Sequence, residues 1–247
     1  MEEYRKVSYN VQIMKDYNGK LKAVTISFDD GMLQDIRLIE LMNKYGLKGT
    51  FNLNSERFGA EFSAVRDGKH IWRKRIEREQ TRELYRGHEV AAHTLTHKNL
   101  TTVDDAEMIR QVELDRLNLS EIVGYEVVGL AYAEGGVNCN EHVADVIRNN
   151  TGIKYARTIV PTYGFKEQHE LLLFNPTCHI SRFERAIEVA KTFIDTTPDS
   201  PMLLYLWGHS YEMDLIENGW EKIEEIFRLI SNKNDVFYGT NKEILLS

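Results

Sequence analysis

The order of apolar and polar positions divides the chain into alternating strands and helices. In "AVTISF" (23–28), Val24, Ile26 and Phe28 alternate with Thr25 and Ser27, the period-two pattern of a strand. Residues 32–46 switch to helical spacing, with Ile36, Ile39, Leu41 and Met42 forming a stripe and Gly46 a stop. A strand is predicted at 48–53, a short helix at 79–87 and a strand at 88–92. A long helix follows, capped by Asp104 or Thr102 and running to Ile122. Further strands fall near 126–132, 154–159, 202–208 and 235–239. Helices fall near 140–151, 182–195 and 218–231, with a short one at the C-terminus. Repeated strand–helix units predict an α/β fold with a parallel sheet, open or closed into a barrel. Residues 55–79, charged with scattered aromatics, read as a surface insertion.

In such folds function gathers at the C-terminal ends of the strands. Asp29, Asp30, His93, Arg157 and His209 all fall at such ends. The first strand closes on "FDDG", two adjacent carboxylates, and like charges side by side need a cation or a proton to resolve the conflict. "HTLTH" offers His93 and His97 four residues apart, which on a helical turn share one face. Two imidazoles and one carboxylate make a ligand set for a divalent ion with open positions. One aspartate of the pair then serves as ligand and the other as the base for a metal-activated water.

Length and charge narrow the picture. The 247 residues are 42% hydrophobic and 28% charged, suited to one soluble globular domain spanning 1–247; no linker or repeat divides them. A net charge of −7 argues against nucleic acid as partner, and no apolar run is long enough to span a membrane. The N-terminal "MEEYRKVSYN" lacks an apolar core, so the expectation is a cytoplasmic protein, or a secreted one if a leader precedes it. Cys139 and Cys178 lack metal-type spacing and are expected to be reduced thiols. His88, His142, His169 and His179 have no identifiable partners. Phe58, Phe62 and Trp72 suit a lid, a substrate platform or a patch for a homo-oligomer.

Taken in order, "SFDDG", "HTLTH" and "LYLWGH" resemble the motifs of the polysaccharide deacetylases of the NodB-homology type, carbohydrate esterase family four. The resemblance covers residues 22 to 215. It implies a distorted (β/α) barrel of about seven parallel strands and a divalent metal, most often Zn2+, with Co2+, Mn2+ or Ni2+ as alternatives. It implies Asp29 as catalytic base, Asp30, His93 and His97 as metal ligands, and Thr94 as a hydroxyl holding the metal-site loop. His209 matches the general acid, and Leu204 and Leu206 the pocket for the acetyl methyl. The implied activity is hydrolysis of an acetyl group from an N-acetylated sugar. Two alternatives stay open: a hydrolase of a small or cyclic amide, and a catalytically silent saccharide binder.

The third motif departs from the family pattern of Arg-x-Pro, an aromatic and Gly. Here "LAYAEGG" places Ala131, Ala133 and Glu134 at the Arg, Pro and aromatic positions. Arg157, at the next strand end, is the expected substitute for the lost arginine. Glu134 is either a substrate contact or a solvated loop side chain. Trp207, Tyr211 and Glu212 are the remaining candidates for substrate contact at the mouth of the cleft.

Overall fold

A computed structural model describes residues 16–66 and 69–247; the charged N-terminal "MEEYRKVSYN", which lacks the apolar core of a leader, lies outside the described residues. The strands are β1 (Lys22–Asp29), β2 (Thr50–Leu53), β3 (Glu61–Arg66), β4 (Lys69–Lys74), β5 (Glu89–Ala92), β6 (Gly129–Ala131), β7 (Tyr155–Arg157), β8 (Cys178–His179), β9 (Met202–Gly208) and β10 (Val236–Tyr238). The α-helices are α1 (Asp35–Lys44), α2 (Thr81–Leu84), α3 (Asp105–Ile109), α4 (Asp115–Val123), α5 (Glu141–Asn150), α6 (Phe183–Asp195), α7 (Glu212–Leu215), α8 (Gly219–Ile230) and α9 (Asn241–Leu245).

Seven strands pair in parallel in the order β7-β6-β5-β2-β1-β9-β8, a curled half-barrel backed by helices. β10 pairs with the first half of β1, on the edge that β2 occupies further along. The segment before β8 spans the opening, because Phe174 bridges to Arg157 on β7 while Cys178 pairs with β9.

The alternation along β1 and β9 sorts residues between two faces. Val24, Ile26 and Phe28, with Leu204 and Leu206, pack into the large apolar core shared with Leu38 and Met42 of α1 and Phe227 and Ile230 of α8. Ala23, Leu203, Tyr205 and Trp207 face the concave interior with Tyr155 and Phe174. Polar side chains share that interior. Thr25 donates to Asn241 at 2.8 Å, Asn241 donates to the Tyr205 hydroxyl at 2.5 Å, and Thr50 and Tyr155 both donate to Glu89 at 2.9 Å. Each of these interior polar groups thus has a partner, as burial demands.

This parity corrects one expectation. Leu204 and Leu206 are fully buried on the helix-covered face and do not reach the interior where Asp29 lies. Neighbours along a strand point to opposite faces, so residues flanking Trp207 cannot share its side.

Residues 55–79 hold regular structure: β3 and β4 form an antiparallel hairpin outside the main sheet, and the chain returning from it pairs back onto the end of β1. Ile76 N–H donates to the Gly31 carbonyl at 2.9 Å, and Met32 bridges to Arg75. No helix among the described residues is long and apolar enough to cross a membrane.

Candidate active site

The DDG turn separates its two carboxylates. Asp29 stays on β1 and points into the concave interior. Asp30 and Gly31 both adopt left-handed backbone conformations, at φ +83° and +61°. Glycine takes this region freely and aspartate tolerates it. A Cβ at Gly31 would also meet Leu53 Cδ2 at 2.7 Å. Asp30 is thereby turned away from Asp29 and towards the histidine loop.

The "HTLTH" segment is not helical. It is a turn in which Thr94 (φ +64°) and His97 (φ +62°) are left-handed, and this geometry, rather than an i, i+4 spacing, brings the two rings to 5.0 Å between centroids. The loop is held from several sides. Asn54 donates to the carbonyls of His93 and Thr94 at 2.5 and 2.6 Å, and Lys98 N–H donates to Thr94 Oγ1 at 2.7 Å. Asp115 accepts from the backbone N–H groups of Ser55 (2.7 Å) and His93 (3.0 Å); burial pushes its pKa up to about 7. Between α3 and α4 lies a π-helical stretch, Arg110–Leu114, where the Gln111 carbonyl accepts from Leu95 N–H at 2.8 Å. Such widened turns are common beside functional sites.

The donor atoms of Asp30, His93 and His97 lie within 4.8 Å of one another. His93 Nδ1–H donates to the Ala131 carbonyl at 2.8 Å, which leaves Nε2 free to ligate. His97 Nδ1 faces Glu134 at 3.3 Å, and its Nε2 lies 3.3 Å from Asp30. Second partners of this kind fix the tautomer that a metal requires. Burial lowers the His93 pKa to about 4, so the ring is neutral at pH 7. Burial alone would raise the Asp30 pKa, but Arg75, His209 and the other histidines outweigh it and keep the carboxylate ionised. Arg75 Nη2 contacts Asp30 Oδ1 at 2.9 Å, and its Nη1 donates to the Asp30 carbonyl and, at 2.6 Å, to Asn54. One carboxylate and two imidazoles converging on a point fit a divalent ion of the zinc type.

Asp29 is buried beside this cluster. Arg157, also fully buried, donates Nη2–H to it at 2.5 Å, and Asn52 donates at 2.7 Å. Burial would raise the Asp29 pKa; Arg157 first, then His93, His209 and Asn52, outweigh it and hold it below the usual value. The Arg157 guanidinium lies over the Trp207 ring, 4.1 Å from its centroid. On the other side, His209 Nε2 lies 4.0 Å from Asp30 and its Nδ1 lies 3.6 Å from Glu212. Burial disfavours the His209 cation, yet Glu212, Asp30 and Asp29 raise its pKa to about 9.

These groups surround a cleft of about 370 Å³. Asp29, Asp30, His93, His97, His209, Trp207, Tyr211 and Glu134 from the sequence reading line it. Arg157 lies beneath it. Leu204 and Leu206 are outside it, and Glu212 faces His209 and His179 rather than the cleft. The hairpin contributes Phe62, Arg73 and Arg75, and the loop after β2 contributes Arg57. Phe58 packs on the core and Trp72 is exposed.

Several neighbours carried no signal in the sequence. His179, read as unpartnered, sits 3.6 Å from Glu212 and edge-on to Trp207, on a strand only two residues long. Arg75 belongs to the charged 55–79 stretch, where no motif distinguishes it from its neighbours. Asp115 and Gln111 are buried polar residues on one helix, and their placement at apolar-face positions was the available clue. His88 is structural: Gly49 N–H donates to its Nδ1 at 3.1 Å and Asn43 lies 3.2 Å from its Nε2. His142 pairs with Asp105 at 2.8 Å on the surface.

Comparison with known proteins agrees with the motifs. The polysaccharide deacetylase profile matches residues 16–165. Among solved structures, one assigned as a polysaccharide deacetylase from Mycobacterium smegmatis aligns with TM-score 0.64 at 16% identity, over 94% of this chain and 91% of that one. A family 4 acetyl xylan esterase from Clostridium thermocellum, in complex with a cobalt ion, aligns with TM-score 0.52 at 14% identity, over 91% of each chain. A polysaccharide deacetylase from Bacillus cereus, BC0361, aligns with TM-score 0.48 at 19% identity over 60% of this chain, which spans 44% of that protein's length. A search of curated protein sequences finds no match. With its profile match covering more than half the sequence, the chain belongs to the polysaccharide deacetylase family.

Proposed function

We propose that the protein is a divalent-metal-dependent hydrolase that removes the acetyl group from an N-acetylated saccharide. The observation that carries this reading is the convergence of Asp30, His93 and His97 within 4.8 Å, flanked by Asp29 and His209. A divalent ion held by those three residues would polarise the acetamide carbonyl and lower the pKa of a water molecule. The cobalt ion bound by the C. thermocellum relative supports a first-row metal in this site.

The chain's own groups then divide the proton transfers. Asp29, kept ionised by Arg157 and aligned by Asn52, takes the proton from water. His209, kept charged by Glu212, donates a proton to the departing nitrogen, which is a poor leaving group without one. Trp207 forms the cleft wall between them and suits the face of a sugar ring.

The test is acetate release from N-acetylglucosamine oligomers by zinc-loaded protein, with Asp29→Asn as control and metal content measured in parallel. Acetate from the wild type alone supports the reading. Bound metal with no acetate from any acetylated sugar refutes it, and a screen of small amides then examines the alternative. The exposed left-handed Glu134 pairs with His97 and leaves the cleft open, which is consistent with turnover rather than a blocked, silent site.

A further inference from the structure

The charges lining the cleft do not balance one another. Asp29 is matched by Arg157, Asp30 by Arg75, and Glu134 faces His97. Arg57 and Arg73 line the same cleft, and among the described residues neither forms an ion pair. Their Nε atoms are buried without a hydrogen-bond partner. Arg57 is also close enough to Arg75 for their like charges to repel. On a protein of net charge −7, unmatched cations gathered at one opening are a local exception that focuses anions.

Arg73 is also held in place. Its guanidinium lies 3.6 Å from the centroid of the Tyr211 ring and 5.8 Å from that of Phe62. Stacking occupies a planar face, and the Nε–H on the edge has no partner and is available to a planar or tetrahedral oxyanion. An orphaned, buried Nε–H has a desolvation cost that a bound anion would offset.

We propose that Arg57 and Arg73 form an anion-binding subsite, and that the substrate is an acetylated saccharide bearing a carboxylate or phosphate on or beside the acetylated unit. The inference rests on the deacetylase reading for its saccharide, and on Arg57 and Arg73 for its charge. A divalent ion in the neighbouring site strengthens the same preference.

The experiment compares N-acetylglucosamine, N-acetylmuramic acid and N-acetylglucosamine 6-phosphate as substrates of zinc-loaded protein, in the wild type and in an Arg57→Gln/Arg73→Gln double variant. One charged sugar should be favoured in kcat/KM on the order of tenfold or more, through KM, and added salt should erode the preference. The double variant should bring the ratio of charged to neutral substrate close to one. The arm that gains identifies carboxylate or phosphate as the recognised group. Equal kcat/KM for all three sugars overturns the subsite and leaves the deacetylase reading standing. A preference that survives in the double variant also overturns it. If none of the three is hydrolysed, calorimetric titration of the same sugars decides. Tighter binding of a charged sugar, abolished by the double variant, supports the subsite while the hydrolase fails; equal binding overturns the subsite. Thermal melts of the double variant and of each single variant establish that the proteins tested are folded.

Discussion

Replacing Arg157 with methionine isolates the contact on which Asp29 depends. The guanidinium is fully buried, donates to Asp29 Oδ2 at 2.5 Å and to the Thr158 carbonyl at 3.1 Å, and rests on Trp207. Methionine keeps much of the volume and removes the charge, leaving a buried carboxylate without its cation. Breaking a buried pair in this way costs about 3–5 kcal/mol. In a domain of this size that lowers Tm by roughly 10 °C. The sign of the pH dependence also follows. In the wild type the Asp29 pKa is held low, so its contribution is present above the ordinary value of 3.8 and is lost only as pH falls through the lower folded value. Without Arg157, burial dominates and the folded pKa rises above 3.8. The variant's deficit is then largest at neutral pH and shrinks as the carboxyl becomes protonated on acidification.

Activity reports the same change. With Asp29 protonated over more of the pH range, the acid limb of kcat/KM moves to higher pH, and the neutral-pH rate falls on the order of 100-fold. The assays are thermal melts from pH 4 to 8 and acetate release over the same range. Arg157→Lys, which keeps a charge but not the planar fork, should fall between the two proteins. If Arg157→Met melts within about 2 °C of wild type, well under the drop expected for a broken buried pair, and its pH profile is unmoved, the ion pair does not support Asp29.

Three further perturbations probe other parts of the frame. Glu212→Gln removes the anion beside His209, so the His209 pKa falls from about 9 and the alkaline limb of the pH–rate profile moves to lower pH. Glu134→Gln weakens the partner of His97 Nδ1; zinc affinity, read by competition with a chelator, should drop about tenfold, the low end for such second partners. His88 is buried and its pKa is lowered to about 4, so folding excludes a proton that the unfolded chain binds below 6.5. Stability should therefore fall as pH drops from about 6.5 to 4, by at most about 3 kcal/mol, and His88→Gln should flatten that slope in denaturant titrations.

The strand–helix alternation was legible because the larger elements bury one clean face. β1, β9, α6 and α8 fall within a residue or two of their apolar patterns. The short elements were not legible: β8 has two residues and α7 four, too few for any period to emerge. The hairpin β3–β4 was obscured by its charge, since Lys69, Arg73 and Lys74 mask the alternation of a two-stranded ribbon that lies outside the main core. Leu204 and Leu206 show a different loss. Motif position placed them at the pocket, but Trp207 already lines it, and strand parity excludes its immediate neighbour Leu206, and with it Leu204, from the same face. The parity was present in the sequence, and it outranks motif proximity.

The altered third motif shows what the site constrains. Ala131, at the position where the family carries arginine, lies directly opposite Arg157 in the β6–β7 register. Laterally paired residues of parallel strands project to the same face. We infer that Arg157 takes that arginine's role from one strand further out, with the small Ala131 side chain beside it on the same face. The Ala131 backbone keeps a separate task, accepting the His93 Nδ1–H at 2.8 Å. On this inference the site constrains where the positive charge arrives rather than which strand delivers it. The pair Ala131→Arg with Arg157→Ala tests this directly. Each single change should lower acetate release, Ala131→Arg by crowding a filled interior and Arg157→Ala by stranding Asp29. The double variant should recover a substantial part of the rate and the Tm lost by Arg157→Ala. Losses that simply add would show that the two positions do not share one role.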